Sequence, residues 1–140
     1  MDTSHDTPAG LRLGTPAWFT ALAWLLPLAL FGQFASAGLG LFLDPNLLGL
    51  HAGLGAALSL PVLGLVAGAA LIRRLHGLGW WAWTLLALYL VQIGLAAGRV
   101  PALLSLHPVN GALLLSASLV VLAKLERRRA GTGALAQAAD

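Results

Sequence analysis

Apolar residues run through four long stretches of this chain, and polar residues gather in the joins between them. The runs are 17–43, 47–72, 80–97 and 102–125. A bilayer hydrocarbon core about 30 Å thick needs about 20 helical residues. The third run is the shortest and still fits. Asp44-Pro45-Asn46 makes the first join and starts a helix, because Asp44 or Asn46 can cap its free N–H groups. Arg73 to Gly79 makes the second join, and Gly98-Arg99-Val100-Pro101 the third. Joins this short set successive helices antiparallel. The pattern predicts an all-α, integral membrane, up-down-up-down four-helix bundle. Residues 1–16 read as a disordered polar tail, and 126–140 as a basic, then flexible tail.

Composition removes the soluble alternative. Of 140 residues, 59% are hydrophobic and 9% charged, against about 25% charged in ordinary globular domains. Mean hydropathy is +0.85. The pI near 10.7 accompanies a net charge of only +3, and the basic residues sit at run ends. That distribution is a topology signal and leaves no broad basic face for a nucleic-acid partner. The chain has no cysteine, so disulfides, thiolate metal sites, iron–sulfur clusters and covalently attached c-type haem are excluded.

Charge also predicts orientation. Arg12, Arg73, Arg74, Lys124 and Arg127 to Arg129 fall on one side of the four runs, and Arg99 with Asp44 on the other. By the positive-inside rule both termini are cytoplasmic and the joins at 44–46 and 98–101 face outward, in a bacterial cytoplasmic membrane. Trp18, Trp80 and Trp81 lie near run ends on the basic side, where interfacial aromatics belong. A signal peptide is the competing reading of the N-terminus, with Ala35-Ser36-Ala37 as its cleavage site. The apolar run continues past that site and is part of an internal repeat, which favours a retained span.

The repeat is carried by LGLHAGLGA (48–56) and LSLHPVNGA (104–112). Both read Leu, small residue, Leu, His, three variable positions, Gly, Ala. Upstream, FGQFASAG around Gln33 lines up with LVQIGLAAG around Gln92. Runs one–two and three–four are therefore two copies of one helical hairpin, related by an axis along the membrane normal. His51 and His107 then share one depth, roughly 6–8 Å inside the outer surface at 1.5 Å per residue. Gln33 and Gln92 add to the same polar layer.

An ionisable residue inside a membrane marks a functional site by default. Two histidines from different helices at one level is the arrangement that six-coordinate haem b needs. Gly55 and Gly111 stand four residues on, on the same helix face, and leave room for a flat macrocycle. Gln33 and Gln92 can hold an imidazole N–H or the ring edge, and Arg99 can pair with haem propionates. Each assignment has a plainer rival. Membrane histidines and glutamines also hydrogen-bond helices together, and small residues also let helices approach closely. Arg99 also reads as a solvated loop charge. A proton or metal site is a further alternative for the histidine pair. His5 and His76 have no assigned role, and Trp80-Trp81-Trp83 reads as an interface anchor.

At these residues the chain resembles a small, largely uncharacterised family of four-span bacterial membrane proteins. Its most regular feature is an LHP-x-N near the start of the last span, here Leu106 to Asn110. The resemblance covers roughly 28–125. The layout is also similar to one half of haem A synthase, which carries a histidine pair on the second and fourth helices of each four-helix half. That resemblance implies His51 and His107 as axial ligands of a b-type haem. The catalytic half of that family has a carboxylate one turn before its first histidine. Here that turn is Leu47-Leu48-Gly49-Leu50, so the resemblance supports holding haem rather than oxidising a substrate.

The expected function is a multi-pass membrane protein binding one haem b, in electron transfer or haem handling, with a homodimer or a redox partner subunit beside it. A membrane oxidoreductase like haem A synthase and a haem-free scaffold or small-solute carrier are the alternatives.

Overall fold

A computed structural model describes residues 14–98 and 100–137, with side chains to residue 131. The described residues contain helices and no strand. The first span is α1 (Ala17–Phe42). The second begins with a 3-10 turn, Pro45–Leu47, and continues as α2 (Leu48–Ala57) and α3 (Ser59–Leu71). A second 3-10 segment, Arg73–Leu78, leads into α4 (Gly79–Ala97), the third span. The fourth consists of a short α5 (Pro101–Leu104) and the long α6 (His107–Gln137). Four helical spans are long and apolar enough to cross a membrane. They pack as a bundle in which each span lies beside its sequence neighbours and α6 returns to α1. Spans two and four are therefore diagonal.

Three features depart from four straight rods. The second span breaks at Leu58, between α2 and α3. Pro61 cannot donate to the Ala57 carbonyl and its ring crowds that group, so the helix opens one turn earlier. Pro108 does the same to Leu104, and a turn at 105–106 precedes α6. Finally, α6 continues past the apolar run as far as Gln137. The stretch from Glu126, read as a loose tail, is thus helical over its described part.

Both histidine spans start alike. Asp44 Oδ1 accepts from the Asn46 backbone N–H at 2.9 Å, capping the turn that Pro45 opens. Pro101 opens α5 in the same way, its fixed φ and missing N–H costing nothing at a first helical position. The repeat therefore extends to P-x-L-L-x-L-H-x-x-x-G-A in both copies.

Side-chain packing is uneven along the bundle axis. The buried core comprises Phe19, Leu26, Val62, Leu65, Leu75, Leu78, Leu85, Leu114, Val121 and Leu125. All lie in the half that ends at Arg73, Arg74 and Arg127. Glycines allow α1 and α3 to touch here: a Cβ on Gly68 would sit 2.5 Å from the Phe19 ring and 2.8 Å from Trp18. Trp80 is exposed, whereas Trp81 turns partly inward against the core. The opposite half has no such apolar centre among its described residues. Neither α2 nor α5 contains a buried residue. What is buried there is polar or small: Ser36, Gly40, Asn110 and Gly111.

Candidate functional site

The polar layer lies in that loosely packed half. His51 is on α2 and His107 opens α6, so the two rings approach across the bundle diagonal. Their centroids are 6.1 Å apart and their planes are inclined by 66°. Both residues are half-buried.

His51 is held by the first span. Its Nδ1 lies 3.1 Å from the Gln33 carbonyl and 3.2 Å from Ser36 Oγ. Ser36 in turn donates to the same carbonyl at 3.0 Å. A carbonyl only accepts, so the Gln33 contact requires the proton on Nδ1. The neutral ring then has its lone pair on Nε2, the form in which imidazole binds a metal.

His107 is less constrained. The main chain of Gln92 lies beside its ring. Its Nδ1 is buried and has no hydrogen-bond partner among the described residues. The Gln33 Nε2 amide is in the same position. A buried donor or acceptor left unpaired costs about 1–3 kcal/mol, and both atoms lie in this layer.

The glutamines and glycines pair across each hairpin. A Cβ on Gly55 would meet the Gln33 amide at 3.6 Å, and one on Gly111 would meet Gln92 Nε2 at 3.3 Å and Phe34 at 3.5 Å. The space beside each glycine thus receives a glutamine side chain. Gly55 and Gly111, expected to leave room for a cofactor, thus each border a glutamine amide.

The two copies complete the layer differently. In the second, Asn110 Nδ2 donates to Gln92 Oε1 at 2.6 Å and to the Leu88 carbonyl at 2.9 Å, joining α6 to α4. Tyr89 Oη lies 3.0 Å from the Gly55 carbonyl and 3.3 Å from that of Ala56, just before the break at Leu58. It thereby satisfies backbone acceptors next to the opened turn. Ser36, Tyr89 and Asn110 were not among the expected site residues. Asn110 stood in the LHP-x-N motif, which was the available signal. Ser36 and Tyr89 have no counterpart in the other copy and carried none. Arg99 lies outside the described residues.

No group of three or more His, Cys, Asp or Glu converges among the described residues. A metal here would depend on the histidine pair, which suits an ion whose remaining positions come from a macrocycle.

Residues 33–99 are similar to a family of unknown function, DUF6220. The match covers Gln33, His51, Gly55 and Gln92 and ends before His107. No curated protein and no solved structure matches the chain.

Proposed function

We propose that the protein holds one b-type haem between His51 and His107 and relays electrons or handles haem in the membrane. The observation that carries this reading is the 6.1 Å separation of the two rings. A metal–imidazole bond is about 2 Å, so two imidazoles binding one ion in line stand about 6 Å apart, centre to centre. The fixed tautomer of His51 and the loosely packed outer half support the same reading. So does the layout similar to one half of haem A synthase.

His51 and His107 would be the axial ligands. Gln33 and Ser36 orient His51, and the Gln33 and Gln92 amides would line the site. Bound haem supplies one-electron chemistry. Two histidines holding the iron would leave it no open position for a substrate, which favours relay over catalysis. A redox partner subunit, or a second copy of this chain, would then exchange electrons with it. The basic end is assigned to the cytoplasmic side of a bacterial membrane, with both termini there.

The bond from Asn110 to Gln92 favours a second reading, in which the polar layer only joins helices. A visible spectrum separates the two. The protein, purified in mild detergent from haem-replete cells, is expected to show a sharp low-spin b-type band on reduction. His51→Ala and His107→Ala should each abolish it or convert it to a high-spin spectrum. A colourless protein overturns the haem reading.

A further inference from the structure

The second and third spans approach each other closely along α3 and diverge along α2. α3 packs against both α1 and α4, whereas α2 packs chiefly against α1. Two ties hold it there. His51 Nδ1 reaches the Gln33 carbonyl and Ser36 Oγ, and Leu48 lies so close over Gly40 that a Cβ there would sit 3.1 Å from its backbone nitrogen. The tie to α4 is the Tyr89 hydroxyl, 3.0 Å from the Gly55 carbonyl and 3.3 Å from that of Ala56. Gly55 is one helical turn from His51. The Tyr89 ring itself is buried in the packed core.

The backbone on either side of Leu58 differs in anchorage. Leu58, Val62 and Leu65 are buried in the core, whereas α2 has no buried residue. Segments with little buried apolar surface open locally at less cost than the whole fold. The break at Leu58 supplies a pivot, since Pro61 gives no N–H to the Ala57 carbonyl and an interrupted ladder is where a helix bends.

We propose that α2 is a door on the histidine layer. It is hung on α1, pivots at Leu58 and is latched to α4 by the Tyr89 hydroxyl. When the latch releases, α2 swings away from α4 and the layer around His51 opens sideways to the bilayer. Such an opening admits an apolar ligand from the lipid without crossing the polar surface. The door goes beyond the haem reading and does not depend on it.

Spin labels test the motion in the full chain, as purified and returned to vesicles, because the chain lacks cysteine. Ala52→Cys with Val91→Cys places labels at exposed positions on α2 and α4, and Leu63→Cys with Trp83→Cys does so on α3 and α4. The α2–α4 pair is expected to show a short and a long distance, and the α3–α4 pair a single one. Tyr89→Phe keeps the ring and removes the latch. It should raise the ratio of long to short by about three- to eighteenfold, the effect of losing one polar contact between membrane helices. Thr84→Ala removes a hydroxyl bonded within its own helix, to the Trp80 carbonyl, and should leave the ratio unchanged. Pro61→Ala returns a donor to the Ala57 carbonyl and should lower it. A single α2–α4 distance that Tyr89→Phe does not move overturns the proposal. So does an equal shift in Thr84→Ala, or an equal change in the α3–α4 pair, which would mean general loosening. If Tyr89→Phe does not fold, an unchanged ratio in Pro61→Ala overturns the proposal instead. The visible spectrum of the same sample reports on haem separately, so a colourless protein with a moving α2 refutes only the haem reading.

Discussion

The rings of His51 and His107 stand 6.1 Å apart although their helices occupy opposite corners of the bundle. Diagonal helices meet only through side chains that reach the axis. Both imidazoles do so at one level, above the packed core and among Gln33, Ser36, Gln92 and Asn110.

If the pair ligates haem, a lost ring is replaceable. His51→Ala should give a high-spin or weakly pigmented protein, and added free imidazole should restore the low-spin band. A reduced-minus-oxidised spectrum checks this. A band unchanged by His51→Ala removes His51 from the ligand set.

The glycine contacts predict unequal tolerance along the α1–α3 seam. A methyl on Gly68 meets the fully buried Phe19 ring, which cannot move aside easily, as well as the tip of the exposed Trp18. Gly68→Ala should destabilise by about 1–3 kcal/mol. On Gly64 a methyl meets only the tip of the half-buried Leu22, which can change rotamer. Gly64→Ala should cost clearly less. Unfolding in mixed detergent ranks the two, and equal losses would contradict the seam described here.

Asn110 and Gln92 should be energetically coupled through their 2.6 Å bond. A double-mutant cycle with Asn110→Ala and Gln92→Ala is expected to give about 0.6–1.7 kcal/mol, the range for polar contacts between membrane helices. A coupling indistinguishable from zero would mean that the bond does not hold α6 to α4.

The proposed orientation is testable because the chain lacks cysteine. In intact cells, an impermeant maleimide should label Ser105→Cys, beside His107. Ala130→Cys, at the basic end, should react only after lysis. The reverse pattern would invert the protein in the membrane and move the histidine layer to the cytoplasmic side.

The sequence by itself determined that the chain is a membrane bundle, where its four spans run, and that the hairpin is repeated. Bilayer thickness converts apolar length directly into spans, and short joins force antiparallel neighbours. It also singled out His51, His107, Gln33 and Gln92, because a polar group in hydrocarbon stands out wherever it points. Only the tertiary structure decided what these residues face. Helices apolar on every side have no stripe to reveal their inner face, and in lipid their association follows close packing and polar contacts rather than burial. That is why the structure was needed to show Gln33 beside Gly55 and Gln92 beside Gly111. It is also why Ser36 and Tyr89, unremarkable along the chain, became partners of His51 and of the α2 backbone.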